Sequence, residues 1–350
     1  MATQAVKQAT GVSAAKAASA PRAASASAKP KKAKARGQSA SAVRKSLLLV
    51  DPNVDKEARA GAEQPLKTRA RRKFSAKPVK RPNGEDYLPR RLSGNLSDIE
   101  VMHYCRERDI RVLLYGYPGC GKTALVEAAF GDELVQVEGH ADTEVADFIG
   151  TWVPESGGGY HWVDGPLPIA MREGKPLFVD DATLIAPGVI ARLYPAMDGR
   201  RQISVREHEG EVVKAKPGFF VIAAHNPGVP GAILSEALAS RFAMHVRVES
   251  DLKMAMLMGV DAKAVTIAAQ LRRSRDEGDG GGWAPEMREL LDYKRISEAL
   301  DEETALANMI SAAPDEARDE VIAIIRAWWA KAEGLALRGQ EPSILRTKKK

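Results

Sequence analysis

The sequence predicts an α/β fold followed by an all-helical region, behind a disordered N-terminal tail. Three observations lead there. The first is a glycine-rich loop, Gly116-Tyr-Pro-Gly-Cys-Gly-Lys122-Thr123, set between an apolar run and a helix start. The second is a pair of further apolar runs, one ending in Asp180-Asp181 and one in Asn226. The third is helical patterning from Asp251 to about Leu335, after the last strand-like run.

Taken in order, the tail comes first. The formal charge of +6 hides two opposed parts. Residues 1–80 carry 19 Lys and Arg against Asp51, Asp55, Glu57 and Glu63, a net +15; the rest carries 33 basic and 42 acidic residues, a net −9. Residues 1–40 contain no acid and no aromatic side chain. Such a segment cannot bury enough apolar surface to offset its ordering entropy, so disorder is expected. Three uses fit it: a solvated tether, an electrostatic arm for nucleic acid, or an organellar transit peptide. Lacking aromatics to stack on bases, residues 1–80 would contact nucleic acid weakly, in a salt-sensitive and sequence-blind way. Ser46-Leu-Leu-Leu-Val50 is an apolar island able to dock on the body or a partner.

At 350 residues the chain has room for about two domains, and 44% apolar content supports a real core. Cys105 and Cys120 are too few for a disulfide framework, so a reducing, cytoplasmic setting is expected. Cys120 reads as a small loop filler rather than a redox group. No apolar run approaches the ~20 residues of a membrane-spanning helix, and no membrane partner is expected.

Gly116–Thr123 matches the G-x-x-x-x-G-K-[ST] phosphate-binding pattern at every fixed position. Glycines let the backbone curl so that successive N–H groups face phosphate oxygens. Lys122 reaches the β- and γ-phosphates, and the Thr123 hydroxyl ligates Mg²⁺. Gly116, Tyr117, Pro118, Gly119, Cys120, Gly121, Lys122, Thr123 and Ala124 are the candidate nucleotide contacts. Arg111–Tyr115 reads as a buried strand and Thr123–Phe130 as a helix start. That context separates the match from a glycine-rich turn that happens to hold a lysine.

Pro176-Leu-Phe-Val-Asp180-Asp181 has the form of a Walker B strand, delivering Asp180 beside the Mg²⁺, which it would hold through waters. Asp181 falls where the water-activating acid is usually Glu. One methylene shorter, it would fall short or act through a second water. Gly218–Pro227 is another buried strand, ending in Asn226, whose amide can hold the attacking water or touch the γ-phosphate. His225 reads as a strand-end residue rather than a base. Leu234–Phe242 reads as a short helix ending in Arg241-Phe242, and Met244–Val248 as the last strand. An acidic, Gly-rich loop, 276–282, leads to Ala284-Pro285-Glu-Met-Arg288, which opens a helix with Pro285 in its first turn. Glu302–Ile310 and Asp315–Trp329 read as separate helices, with Trp328-Trp329 assigned to the core of that region. Lys348-Lys349-Lys350 is expected to be solvated.

That order of elements resembles the AAA+ ATPases, and within them the MoxR-like group, related to the CbbQ/NirQ/NorQ activases and dynein-type modules. Three stretches carry the closer likeness: Gly139-His-Ala-Asp-Thr-Glu-Val-Ala-Asp-Phe-Ile-Gly150, Gly157–Leu167 and Ala186–Asp198, the last as a helix after Walker B. The resemblance covers roughly residues 95–300. It implies an AAA+ P-loop NTPase core, a parallel sheet flanked by helices, with a small C-terminal all-helical lid. The expected division is a tail over 1–85, the α/β domain over 86–250, the lid over 251–336 and a basic end over 337–350.

The resemblance implies further roles. Lys122 and Thr123 bind the phosphates and Mg²⁺ of ATP, Asp180 positions the metal, and Asp181 takes the catalytic-acid place. Asn226 matches sensor 1, Arg241 the arginine finger acting on a neighbouring subunit's nucleotide, and Arg288 sensor 2. The alternatives are a surface helix-end cation for Arg241 and a solvated helix residue for Arg288. A trans-acting arginine makes sense in a ring, and the family expectation is a homohexamer. Asp181 in place of Glu puts the rate of ATP hydrolysis in question, not nucleotide binding.

Two function classes follow. One is a ring ATPase that remodels or activates an unidentified protein partner, as family members do when loading metal or ligand into a target enzyme. Hairpins over 151–163 and 200–214 would then face the substrate. The other is a nucleic-acid-associated motor or loader using the basic tail, against which the −9 body argues; Arg200, Arg201, Lys214 and Lys216 are its only obvious basic cluster. A third reading is a nucleotide-dependent scaffold with little turnover.

Overall fold

Three apolar runs of the sequence become the centre of a parallel sheet. The computed structural model describes residues 74, 77–278 and 282–336. Expectations for the tail up to residue 73, for the 46–50 island, for the middle of the 276–282 loop and for the 337–350 end lie outside the described residues.

The described chain opens with two short antiparallel hairpins, β1 (Val79–Lys80) with β2 (Asp86–Tyr87) and β3 (Arg91–Ser93) with β4 (Leu96–Ser97). The expected boundary at residues 85/86 falls inside the first of these. Helix α1 (Asp98–Glu107) starts at a capping box, Ser97 with Glu100, which satisfies two otherwise orphaned amides. Then come β5 (Val112–Tyr115), α2 (Lys122–Phe130), β6 (Val135–Glu138), α3 (Val145–Ile149), a hairpin of β7 (Gly150–Pro154) and β8 (Tyr160–Asp164), and α4 (Pro166–Glu173). Strand β9 (Pro176–Asp180) is followed by α5 (Pro187–Ile190), a 3-10 turn, and α6 (Tyr194–Met197). The single helix expected over 186–198 is therefore segmented; Pro195 has no N–H to give to the preceding turn. A second hairpin, β10 (Gln202–Val205) with β11 (Glu211–Lys214), leads to β12 (Phe220–His225), α7 (Glu236–Ala239) and β13 (Met244–Arg247).

Strands β13, β5, β12, β9 and β6 lie side by side in that order, every pair parallel. Such a sheet needs cover on both faces, which is why β12 is buried along its whole length. The period of two sorts its side chains. Val221 and Ala223 join the cluster under α4 and α6, while Phe220, Ile222 and Ala224 join the one under α1 and α2. The parallel register brings Tyr115, His225, Asp180 and Glu138 to one end of the sheet.

The remaining helices are α8 (Leu252–Leu257), α9 (Ala262–Glu277), α10 (Met287–Ala299), α11 (Glu302–Ala312) and α12 (Asp315–Ile325), packed around their own apolar cluster that includes Ile267, Leu290, Tyr293 and Ile310. Burial pushes the Tyr293 hydroxyl up to about 12. Two details differ from expectation. Pro285 precedes the N-cap Glu286 instead of lying in the first turn of α10. The helix expected to run to Trp329 stops at Ile325, so Trp329 packs on the cluster while Trp328 is 46% exposed.

Candidate functional site

The C-terminal ends of β5, β9 and β12 open into a cavity of about 380 Å³, as expected of an open parallel sheet where the chain reverses its strand order. Its floor is the 116–121 loop. Gly119 and Gly121 adopt φ of +80° and +93°, which other residues rarely do. At Gly116 a side chain would lie 2.1 Å from the Val248 carbonyl, so the loop runs hard against the end of β13. Helix α2 begins with Gly121 as N-cap and no side-chain cap, which leaves its first amides free for an anion.

Lys122 is only 6% exposed. Its ammonium donates to the carbonyls of Gly116 at 3.0 Å and Tyr117 at 3.1 Å, and to Asn226 Oδ1. All three are neutral oxygens. Among the described residues no carboxylate bonds this buried cation directly, and a polyphosphate can do so. Beside it, Thr123 Oγ1 donates to Asp180 Oδ2 at 2.6 Å. A hydroxyl and a carboxylate side by side suit Mg²⁺, which takes few protein oxygens and completes its shell with phosphate and water. The residues present thus fit a nucleotide with its metal.

Asp181 follows with φ +46°, a left-handed backbone that Asp tolerates better than most residues. Its carboxylate accepts from Asn226 Nδ2, and its N–H donates to Asp180 Oδ1 at 3.0 Å. Burial, and then the adjacent Asp180 charge, push its carboxyl above the usual carboxylate range, against the pull of Lys122, Asn226 and Arg288. Asn226 therefore bridges Lys122 and Asp181. Gly139 packs under this pair; a side chain there would sit 2.7 Å and 2.8 Å from the Asp181 and Asp180 carbonyls. His225 is buried with Nδ1 2.8 Å from Thr183 Oγ1, and burial with the nearby Lys122 charge lowers its pKa. It is a neutral strand-end residue.

The far wall belongs to α10. The Arg288 N–H donates to Gly119 O at 3.2 Å, and its side chain lines the cavity. The sequence reading missed Met287, Leu291 and Arg295 on the same wall, although spacings of four place them on one helical face. It also missed Arg81 and Glu85 of the β1–β2 hairpin, which line the cavity mouth. Glu85 pairs with Arg81 and, at 2.7 Å, with Arg295, joining hairpin to helix. Their sequence signal was hidden in a basic stretch.

Arg241 lies away from the cavity lining. Its guanidinium sits 3.7 Å from the centroid of Tyr194 and donates to Ala237 O. Of the basic cluster, Arg200 pairs with Asp198 and Arg201 with Asp109, so half of its charge is already neutralised. The two predicted hairpins are present and joined: Trp162 stacks on His208 at 5.0 Å, and Trp152 Nε1 donates to Glu207 O at 2.9 Å.

Residues 111–242, from the start of β5 to just past Arg241, match the family model described as an AAA domain of the dynein-related subfamily. Protein NorQ of Paracoccus denitrificans (strain Pd 1222) is 37% identical over 134 residues, 37% of this chain and 49% of that protein. Protein CbbQ of Hydrogenophilus thermoluteolus is 31% identical over 196 residues, 52% of this chain and 72% of that protein. An uncharacterized protein of Staphylococcus aureus (strain USA300) is 30% identical over 227 residues, 60% of this chain and 86% of its own length. The chain belongs to the MoxR-like AAA+ ATPases. It spans about half the length of the first of these relatives. For a MoxR-like AAA+ chain, the five-stranded parallel sheet and the helical region behind it are the expected architecture. Among the described residues no helix is long and apolar enough to cross a membrane.

Proposed function

We propose that this chain binds ATP with Mg²⁺, hydrolyses it within a ring of its own copies, and uses the cycle to remodel or activate a protein partner. The observation that carries the reading is Lys122, a buried cation among neutral oxygens, linked through Asn226 to Asp181. Lys122 and the α2 amides hold the β- and γ-phosphates, and Thr123 with Asp180 would hold Mg²⁺, which neutralises phosphate charge. Asn226 orients the attacking water, and Asp181 accepts its proton. A carboxyl raised toward working pH is a better base for that transfer. Its shorter side chain makes turnover slow.

Arg241 supports the ring. It lies outside its own cavity, so it can serve a nucleotide only in another copy, and the family expectation is six. Arg288 closes the lid side of the site. The partner is engaged by the two joined hairpins, where Trp152 and Tyr160 are exposed. Phosphate release from ATP by the purified full chain is the direct test. Release is expected to need Mg²⁺ and Lys122 and to rise with chain concentration. A chain that releases phosphate equally well after Lys122→Ala would end the reading. Stimulation by DNA that persists without residues 1–80 would favour a motor instead.

A further inference from the structure

A second arginine of the lid touches the 116–121 loop without lining the cavity. Arg275, on α9, places its guanidinium 4.0 Å from the centroid of the Tyr117 ring. It also donates to Glu286 Oε1 at 2.9 Å, and both side chains of that pair are 6% exposed. Glu286 is the N-cap of α10, in a capping box with Glu289. Two residues on, Arg288 donates its backbone N–H to Gly119 O. Between Gly119 and Arg288 there is no slack: a side chain at Gly119 would lie 3.1 Å from Arg288 Cβ. The loop is thus gripped at Tyr117 by α9 and at Gly119 by α10, and Glu286 ties the two grips together.

We infer that Arg275 is a positioning residue of the nucleotide site, which holds the loop in its anion-binding curl by clamping Tyr117 to the start of α10. The inference rests on the reading of Gly116–Thr123 as a phosphate loop. The physics favours a clamp over a mere packing contact. A guanidinium over an aromatic face is directional, and one flanked by a buried carboxylate has little freedom to move. Tyr117 itself is 37% exposed, so its ring adds little to the core. Losing the clamp should therefore loosen the loop rather than unfold the domain. Nucleotide must then reorder the loop as it binds, and affinity falls before the chemical step does.

The test uses ADP binding by calorimetry on the full chain, with the unfolding midpoint of the nucleotide-free protein as a folding control. Tyr117→Leu is expected to weaken ADP binding about fivefold to tenfold, and Tyr117→Phe, which keeps the ring, to recover most of that loss. Arg275→Lys keeps the charge for Glu286 but loses the planar stack, and should weaken binding similarly. The double variant should be no weaker than the stronger single to within about twofold, because one contact is lost only once. In ATP turnover Arg275→Lys should raise KM and leave kcat nearly as it was. Full affinity in Tyr117→Leu, or a double variant whose loss is the product of the singles, overturns the inference. Should Arg275→Lys fail to fold, the Leu and Phe variants of Tyr117 still decide it. A wild-type chain that binds no ADP, or Lys122→Ala binding as well as wild type, marks failure of the phosphate-loop reading instead.

Discussion

The cavity and the edge that carries Arg241 hold their cations in opposite ways. Lys122 is buried and bonded to neutral oxygens, facing the cavity. Arg241 is already satisfied within its own chain, stacked on Tyr194 and bonded to a helix carbonyl. The first lines the cavity; on the proposed function, the second would have to leave its aromatic ring to act on another copy. The cavity lining thus holds Lys122 together with Arg81, Arg288 and Arg295, and Arg241 is not part of it.

The contrast can be broken most sharply at Arg241. Arg241→Ala should lower steady-state phosphate release about 10³-fold, with ADP affinity of the isolated chain intact. Mixing it with Lys122→Ala chains should restore part of the rate, since each supplies what the other lacks. A loss below tenfold would leave Arg241 as a surface cation. On the other side, Lys122→Ala should weaken ADP binding about 10²-fold in calorimetry, because it removes the buried charge the phosphates meet. A smaller effect is expected at Asp181→Glu. The longer side chain reaches the water directly, and kcat should rise about tenfold. No gain would mean that reach is not what limits turnover.

The smallest effect is the pH dependence. Asp181 must be ionised to accept a proton, and its carboxyl lies above the usual range. The rate should therefore fall as pH drops through that raised value, earlier than for an ordinary carboxylate, in a kcat profile. Stability has the opposite sign. The folded chain binds this proton more tightly than the unfolded one, so the Asp181 contribution is present at low pH and lost as pH rises through its folded pKa. A denaturation series across that window, compared with Asp181→Asn, reads it.

The sheet side of the site was legible because local rules govern it. Apolar runs ending in Asp180 and Asn226 can be buried only as strands covered on both faces, and each then delivers its terminal polar residue to the same end. The lid side was legible only at Arg288. Leu291 and Arg295 needed the helical face to be known, and Arg81 and Glu85 sat in a stretch whose charge read as tail. Pro195 and the stop at Ile325 segmented helices whose apolar pattern continued past the break.

By itself the sequence determined the AAA+ family, the residues that meet at the cavity, Gly116–Thr123, Asp180-Asp181 and Asn226, and the α/β core with helices behind it. These follow from residue type, spacing and burial pattern, which are local along the chain. Only the tertiary structure decided that Asn226 bridges Lys122 to Asp181, that Arg241 rests on Tyr194 outside the cavity, and that Arg275 grips the loop at Tyr117. Those are meetings of residues 45 to 158 positions apart along the chain, such as Lys122 and Asn226 at a separation of 104. No periodicity records them, because they are set by how the sheet orders its strands and how α9 and α10 settle on its end.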